Sequence, residues 1–233
     1  MPVISCVMPT RNRDDLIGET IKSIIDQTFK DWELIIIDDH SGYFDRTENI
    51  VRSFNDPRII YQKLTDENGI GIVAARNFGN MLAKAEYIAV ADSDDIYYDC
   101  RFKETAEAFH GQGADIVYGD MEIWDSEKKQ ICKRSERYKT RKLDLECFKK
   151  YDYIPHPTVA YKRKIVLDFP YNSFYCRAED YDLLARLAVN NFKFHFVDKL
   201  FVKYREHKGS ISHQKNLNFN YAEMVKKSRG WID

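Results

Sequence analysis

Three short apolar runs, each followed at once by polar or acidic residues, constrain the fold of this chain more than any other feature. They occupy residues 3–8, 34–37 and 87–91. An apolar run without alternation is typical of a strand that is buried on both faces in a parallel sheet. Because helical patterns lie between the runs, the sequence predicts βαβ units and a doubly wound α/β sheet.

The helical patterns are visible in the spacing of apolar residues. The first predicted helix places on one face Ile17, Ile21, Ile24, Ile25 and Thr28, and a later helix places together Ile72, Ala75, Gly79 and Leu82. The remaining predictions are a strand at 58–61, a strand at 116–118, a hairpin of 121–124 with 130–132, a helix at 178–189, strands at 192–197 and 200–204 with a turn at 198–199, and a tail helix from 217.

Acidic residues follow two of the apolar runs. Asp92, Asp94 and Asp95 follow the third run, and Asp39 lies just beyond the second. In open α/β sheets the ligand crevice lies beyond the carboxyl ends of the strands, so these carboxylates should meet at one edge. Mn²⁺ and Mg²⁺ prefer carboxylate oxygens and often take only one or two from the protein. The i, i+2 spacing of Asp92 and Asp94 therefore favours a metal site, although a turn or a helix N-cap would use the same residues.

Asp39 is a candidate for recognition of a nucleobase. It adjoins Asp38, and two neighbouring carboxylates repel each other, which a plain turn could avoid with Asn or Ser. Its carboxylate would accept the imino hydrogen of uracil or thymine. A simple turn, aided by Ser41 and Gly42, is the alternative.

Residues 68–77 form a glycine-punctuated entry to a helix. Gly69, Gly71 and Ala74 match the G-x-G-x-x-A dinucleotide fingerprint of dehydrogenases. That fingerprint belongs in the first βα turn, whereas at least two predicted strands precede this segment. We therefore favour a helix whose Arg76 turns toward the crevice and meets a diphosphate, with a surface salt bridge as the alternative role.

The second half offers a candidate base and two candidate histidines. Glu179 and Asp180 begin the predicted helix 178–189, where acids are common for dipole reasons alone. Sugar transfer with inversion also needs one carboxylate to take the proton of the acceptor hydroxyl. His156 lies between two prolines, as in a rigid loop on the acceptor side, and His207 lies in a polar segment that could close over a diphosphate.

Composition and charge exclude several classes of protein. With 36 basic and 37 acidic side chains the net charge is −1, so no global field favours nucleic acid. Five cysteines without a CxxC pair indicate a reduced, cytoplasmic protein. No apolar run has the length of a membrane span. The basic stretch from Lys128 to Lys142 is explained most simply as a solvated loop, with peripheral contact to the anionic inner face of a membrane, or with a phosphate-bearing acceptor, as the alternative.

Taken in order, these segments resemble the inverting GT-A fold glycosyltransferases of family two. The likeness is seen in ISCVMPTRN at 4–12, SIIDQTF at 23–29, ELIIIDDHS at 33–41, NG at 68–69 with ARN at 75–77, DSDD at 92–95 and EDYDL at 179–183. It implies a mostly parallel Rossmann-like sheet flanked by helices, with a smaller acceptor-side lobe. It also implies one catalytic domain over 1–233, with a nucleotide-binding half of about 1–95, an acceptor-binding half of about 96–215 and a C-terminal helix of about 216–230.

The resemblance implies roles for the site residues. The donor nucleotide would be contacted by Thr10, Asn12, Asp39, Arg76 and Asp92. A Mn²⁺ or Mg²⁺ ion would be held by Asp94 and Asp92, with His207 joining the diphosphate side after loop closure. Asp180 would be the general base, Glu179 would steer the acceptor, and His156 would line the acceptor side. The family usually has a small residue where His40 follows Asp39, so the turn there is expected to differ.

The implied reaction is a metal-dependent single displacement. A sugar would pass from a nucleotide-diphosphate sugar, a UDP-sugar if Asp39 reads uracil, to a hydroxyl of a saccharide or lipid-linked acceptor, as in polysaccharide biosynthesis. Two alternatives come from other classes. A nucleotidyltransferase should show a glycine-rich loop with a basic residue after the first strand, and residues 9–12 contain no glycine. A non-catalytic nucleotide-sugar binding module would bind the donor without turnover.

Overall fold

The computed structural model describes residues 1–125, 130–133, 142–206 and 221–232. The strands in these ranges are β1 Ile4–Thr10, β2 Trp32–Asp38, β3 Ile59–Lys63, β4 Tyr87–Val90, β5 Ile96–Tyr97, β6 Ile116–Asp125, β7 Gln130–Lys133, β8 Ala160–Lys162 and β9 Phe194–Glu206. They form one sheet in the order β3-β2-β1-β4-β8-β6-β9-β5, and β7 pairs with β6 outside this path.

Helices connect the strands. Within the described ranges they are α1 Ile17–Ile25, α2 Thr47–Ser53, α3 Ile72–Leu82, α4 Arg101–Gln112, α5 Leu145–Lys150, α6 Arg163–Asp168, α7 Glu179–Val189 and α8 Tyr221–Ser228. Two short 3₁₀ turns cover His156–Thr158 and Ser173–Tyr175. No helix of the described residues is both long enough and apolar enough to cross a bilayer.

The first four strands form the predicted parallel core. β1 pairs in parallel with β2 and β4, and β2 pairs in parallel with β3. Every residue of β1, β2 and β4 is buried, which is why these strands are apolar without alternation. Successive residues still point to opposite faces: Val7 and Ile35 belong to one hydrophobic cluster, and Cys6 and Leu34 to the other. The doubly wound α/β arrangement is confirmed.

Beyond β4 the sheet is mixed. β8 runs antiparallel to both β4 and β6, whereas β9 runs parallel to β6. The two strands predicted at 192–197 and 200–204 are one strand, β9. The pairing with β6 slips between Tyr118 and Asp120, opposite the position of the predicted turn, so the irregularity is a bulge inside a strand. The hairpin of β6 and β7 agrees with the prediction.

The helical faces were predicted with mixed success. In α1 the residues Ile17, Ile21 and Ile24 are buried as expected, but the helix ends at Ile25 and Thr28 is exposed beyond it. In α3 the predicted Leu82 is exposed, and the buried face is turned toward Val73, Arg76 and Asn80. Gly79 explains the close packing of α3, because a Cβ at this position would lie 2.5 Å from Val7 Cγ1.

The predicted helix at 178–189 is present as α7, and almost its whole length is buried. The predicted strand at 58–61 appears one residue later as β3. Of the predicted C-terminal helix, Tyr221–Ser228 is described as α8, and residues 216–220 lie outside the described ranges. The basic stretch from Lys128 to Lys142 falls largely outside them as well.

Candidate active site

A cavity of about 750 Å³ opens at the carboxyl ends of β1, β2 and β4. The predicted site residues that line it are Thr10, Asp39, Arg76, Asp92, Asp94, His156, Glu179 and Asp180. The parallel sheet thus brings together side chains that are far apart in the sequence. Asn12 is not among the lining residues, and His207 lies outside the described part of the chain.

The acidic turn, Asp92 to Asp95, enters the cavity directly after β4. Asp94 Oδ2 lies 3.6 Å from Arg13 Nε, at the donor end of the cavity. Burial raises the pKa of Asp92, which Arg76 counteracts and Asp94 reinforces. Burial, followed by the charges of Asp94 and Asp92, raises the pKa of Asp95 well above its usual range. The turn therefore concentrates negative charge.

Two side chains of this turn are suited to a bound cation. Asp92 and Asp94 offer hard carboxylate oxygens to the cavity, as Mn²⁺ and Mg²⁺ require. Among the described residues no group of three or more His, Cys, Asp or Glu side chains forms a ready-made metal cage. Two protein carboxylates suffice for these ions when phosphate and water complete the shell.

Arg76 is buried and links the acidic turn after β4 to the start of α7. Its Nη2 donates to Asp92 Oδ1 at 2.9 Å, and its Nη1 donates to Glu179 Oε1 at 2.5 Å. Burial disfavours the charged guanidinium, yet Asp92 and Glu179 keep the pKa of Arg76 above its ordinary value. Its ion pairs are buried and therefore differ from the surface salt bridge considered as an alternative.

Asp180 has the properties of a proton acceptor near neutral pH. Burial raises its pKa to about 7, with further contributions from Asp152 and Glu179, while a hydrogen bond from the backbone of Tyr181 and the charge of Arg76 oppose the rise. The neighbouring Glu179 is buried, and its Oε2 has no hydrogen-bond partner within the described residues. A buried acceptor of this kind is suited to a ligand hydroxyl.

Asp39 lines the cavity just beyond the end of β2. Its Oδ1 accepts from the backbone N–H of Ile70 at 2.6 Å, and its Oδ2 accepts from that of Gly71 at 3.0 Å. Its carboxylate is thus already an anchor for the loop before α3, and each oxygen retains a second lone pair. The nearby Thr10 Oγ1 is buried and has no partner among the described residues, so it is placed to meet a ligand.

Asn12 and His40 determine the conformation of the turn that follows β2, beside Asp39. Asn12 Oδ1 accepts from the backbone of Gly42, and Asn12 N donates to Ser41 Oγ, so this side chain holds the turn after β2. His40 has a φ of 59°, in the left-handed region where a small residue is favoured. His40 therefore carries backbone strain at this turn, and the expected difference from the turn of the family stays a prediction.

His156 is buried and lines the cavity. Its Nε2 lies 2.9 Å from Tyr171 Oη, and burial, followed by the charge of Arg76, lowers its pKa well below the usual range. The imidazole is thus neutral at physiological pH and can take part only as a hydrogen-bonding group.

The glycine fingerprint lies in a setting that differs from a dinucleotide site. It follows β3, which is at the edge of the sheet, and Gly69 packs on Asp39 and Arg11. A Cβ on Gly69 would lie 2.8 Å from Asp39 Oδ2. The glycines therefore allow the loop to close over a carboxylate.

Sequence reasoning missed three residues that shape the site: Arg13, Asp152 and Tyr97. Arg13 and Asp152 line the cavity, and Tyr97 Oη accepts from the backbone N–H of Asp92 at 2.7 Å. Arg13 lies one residue beyond the motif after β1, so its position was a usable signal. Asp152 and Tyr97 carry no local signal, because their partners are set by the tertiary fold.

Comparison with known proteins agrees with this geometry. The model of glycosyl transferase family 2 matches residues 5–169. The uncharacterized glycosyltransferase MJ1057 of Methanocaldococcus jannaschii is 31% identical over 210 residues, which are 88% of this chain and 71% of that protein. The Escherichia coli UDP-Glc:alpha-D-GlcNAc-diphosphoundecaprenol beta-1,3-glucosyltransferase WfgD is 34% identical over 121 residues, 52% of this chain and 46% of that protein.

Two solved structures share the fold. Staphylococcus aureus TarS in complex with UDP-GlcNAc superposes with a TM-score of 0.74 at 20% identity, covering 93% of this chain and 62% of that chain. The mannosyltransferase PcManGT of Pyrobaculum calidifontis, in complex with GDP-Man and Mn²⁺, gives a TM-score of 0.63 at 14% identity, covering 88% and 56%. The open curled sheet flanked by helices is therefore the GT-A fold.

The chain covers less than two thirds of WfgD and of both structural neighbours. The family assignment does not depend on these partial matches, since the family model spans most of the chain and MJ1057 matches 88% of it. The chain belongs to glycosyl transferase family 2.

Proposed function

We propose that the chain is an inverting glycosyltransferase that transfers a sugar from a nucleotide-diphosphate sugar to a hydroxyl of a saccharide or lipid-linked acceptor. One observation carries the proposal: a single cavity is lined by the strand-end acids Asp92 and Asp94 and by Asp180 at the start of α7. The strand-end acids could hold a diphosphate through a cation, and Asp180 could accept a proton within the same cavity, and an in-line displacement needs both functions.

The donor would lie along the ends of β1, β2 and β4. Asp39 and Thr10 would contact the nucleoside, with uracil favoured by the acceptor oxygens of Asp39. The names of similar proteins support a UDP-sugar, since WfgD is named for UDP-Glc and TarS was solved with UDP-GlcNAc. Asp92 would meet the ribose or the metal, and the guanidinium of Arg76 would keep its carboxylate in place.

Asp92 and Asp94 would hold a Mn²⁺ or Mg²⁺ ion. Bound there, the cation would neutralise charge on the diphosphate as it departs. PcManGT, which shares the fold, was solved with Mn²⁺. His207 remains a further candidate ligand on the diphosphate side.

In the reaction, the acceptor oxygen attacks the anomeric carbon while the bond from that carbon to the diphosphate oxygen breaks. The attack comes from the side opposite the departing diphosphate, so the configuration inverts in one step without a covalent intermediate, and Asp180 takes the hydroxyl proton. Glu179 would orient the acceptor through its unpartnered Oε2, while its Oε1 is fixed by Arg76. His156 would line the acceptor side as a neutral hydrogen-bonding group.

We treat residues 1–233 as one catalytic domain, with its donor half at about 1–95. WfgD is named for a diphosphoundecaprenol acceptor. An acceptor of that kind would require this protein to work peripherally at the cytoplasmic face of a membrane, with the basic stretch from Lys128 to Lys142 as a contact.

The test combines binding with product analysis. Nucleotide sugars would be screened by thermal shift with and without MnCl₂, since a specific donor at 100 times its Kd stabilises by about 2.7 kcal/mol. Proton NMR would then give the anomeric configuration of the product. Asp180→Asn should abolish turnover and leave donor binding intact, and Asp94→Ala should remove the effect of Mn²⁺ on UDP affinity. Turnover by Asp180→Asn, or a product with retained configuration, would overturn the mechanism. Stabilisation without any turnover would favour the non-catalytic binding module.

A further inference from the structure

Polar residues of α1 lie along the segment that begins with the acidic turn. Thr20 Oγ1 donates to the carbonyl of Ser93 at 3.1 Å, and Ser23 Oγ accepts from the backbone N–H of Tyr97 at 3.0 Å. One turn later, Gln27 Nε2 donates to the carbonyl of Tyr98 at 2.8 Å. Residues 23–29 were part of the sequence motif, and these bonds give the motif a structural role.

Three successive carbonyls of the acidic turn each accept a hydrogen bond from a side chain of a different element. The carbonyl of Asp92 accepts a hydrogen bond from Tyr97 Oη at 3.4 Å, and the same Oη accepts one from the backbone N–H of Asp92. The carbonyl of Ser93 accepts from Thr20, and that of Asp94 accepts from Arg205 Nε at 3.1 Å. The backbone of the turn is therefore fixed from three directions.

Such restraint has a physical reason in the charge of the turn. Asp92, Asp94 and Asp95 crowd three carboxyl groups into four residues, and like charges tend to drive such side chains apart. Arg76 at Asp92 and Arg13 at Asp94 offset part of this repulsion, and hydrogen bonds to the backbone of the turn further restrict where the carboxylates can lie. The ring of Tyr97 is itself fixed, because the guanidinium of Arg101 lies 4.5 Å from its centroid.

We propose that Thr20, Ser23 and Tyr97 are positioning residues of the acidic turn, which hold Asp92 and Asp94 in the geometry that receives a metal–diphosphate. None of the three is among the residues that line the cavity, and each would act through its hydrogen bond to the backbone of residues 92–97. The inference rests on the proposed function, since it assigns the turn to a metal-bound diphosphate.

The experiment measures UDP binding by calorimetry as a function of MnCl₂ concentration. Thr20→Val keeps the shape of the side chain and removes the donor to Ser93. We expect it to raise the Mn²⁺ concentration for half-maximal UDP binding by about 10-fold, the usual scale for groups that support metal ligands. UDP affinity without metal should change by less than about twofold. Thr20→Ser, which keeps the hydroxyl, should restore the wild-type value, and Tyr97→Phe should reproduce the loss.

Two control variants separate positioning from general stability. Thr28→Val removes the same kind of bond, from Thr28 Oγ1 to the carbonyl of Asp99, away from the acidic turn. Thr105→Val matches the burial of Thr20 on α4. Both should keep the wild-type dependence on Mn²⁺, and thermal unfolding would show which variants remain folded.

The outcomes distinguish this inference from the proposed function. Wild-type UDP binding that does not depend on Mn²⁺ would overturn the metal–diphosphate assignment and the inference with it. A metal-dependent wild type with an unaffected Thr20→Val and Tyr97→Phe would overturn the positioning role alone. An equal loss of UDP affinity with and without Mn²⁺, or an equal loss in Thr105→Val, would likewise reduce these residues to a structural role.

Discussion

The acid limb of the pH profile of kcat/KM, where activity rises with pH, should be set by the titration of Asp180. Neutralising Asp152 should shift this limb to lower pH. The pKa of Asp180 lies at about 7, against an ordinary value of 3.8. A rise of this size corresponds to about 4 kcal/mol in favour of the neutral carboxyl. A base must be deprotonated, so kcat/KM should rise with pH, reach half its maximum near pH 7 and level off above it.

Several groups near Asp180 contribute to the change in its pKa. Burial contributes most to the raised pKa, followed by the charges of Asp152 and Glu179, while Arg76 opposes them. The phenols of Tyr161 and Tyr171 are buried nearby and stay neutral, because burial raises both of their pKa values. Asp152 is exposed, so its removal tests repulsion without opening the core.

Asp152→Asn should therefore lower the pH at which kcat/KM reaches half its maximum by roughly half to one unit at low ionic strength. The shift should shrink at high salt, because an exposed charge is screened. Asp168→Asn provides the control, since Asp168 is also exposed and does not line the cavity. The assay is donor consumption under kcat/KM conditions from pH 5 to 9. A limb that stays in place or moves upward in Asp152→Asn would refute the reasoning, as would a wild-type limb below pH 5.

Three further variants test the energetics of the site. Arg76→Met should destabilise the fold by about 3 kcal/mol in urea unfolding, because it leaves the buried Glu179 and the partly buried Asp92 without their cation; a loss below 1 kcal/mol would contradict the importance of these ion pairs. Gly69→Ala should cost more than Gly113→Ala, since both have positive φ values but only the first would clash with neighbouring side chains; equal losses would argue against the close packing on Asp39. Asp180→Asn should stabilise the protein by at least about 1 kcal/mol at pH 8, because a carboxyl with a raised pKa costs stability when charged. That gain should grow from about pH 4 to pH 7, and its absence would contradict the raised pKa.

The part of the cavity at the strand ends could be predicted from the sequence because its information is local. Each strand contains an apolar run that is followed by polar residues at its carboxyl end, so Thr10, Asp39 and Asp92 are placed by the ends of β1, β2 and β4. In a parallel sheet these ends must lie at one edge. The family model, which matches residues 5–169, covers this part of the chain.

The acceptor side could be predicted only in part. Asp180 was identifiable from the start of α7, but the contribution of Asp152 to its pKa depends on a contact between residues 28 positions apart. The sequence predicts a turn at 198–199, where the structure has a bulge inside β9, because the exposed Asp198 and Lys199 are residues typical of turns. Local composition cannot distinguish an exposed bulge from a turn when the partner strand is unknown.

Arg76 shows most clearly why a sequence motif does not reveal all contacts of the site. Its neighbours in the sequence predict a cation at a helix entry, whereas its partners Asp92 and Glu179 lie 16 and 103 residues away. Arg76 joins the buried Glu179 to the partly buried Asp92, and separation of either one would leave an unpaired charge in a poorly hydrated site. The acidic turn and the start of the helix that carries Asp180 are therefore tied to each other. The proposed in-line displacement would depend on that link, because the departing diphosphate and the proton acceptor would have to lie on opposite sides of the same carbon.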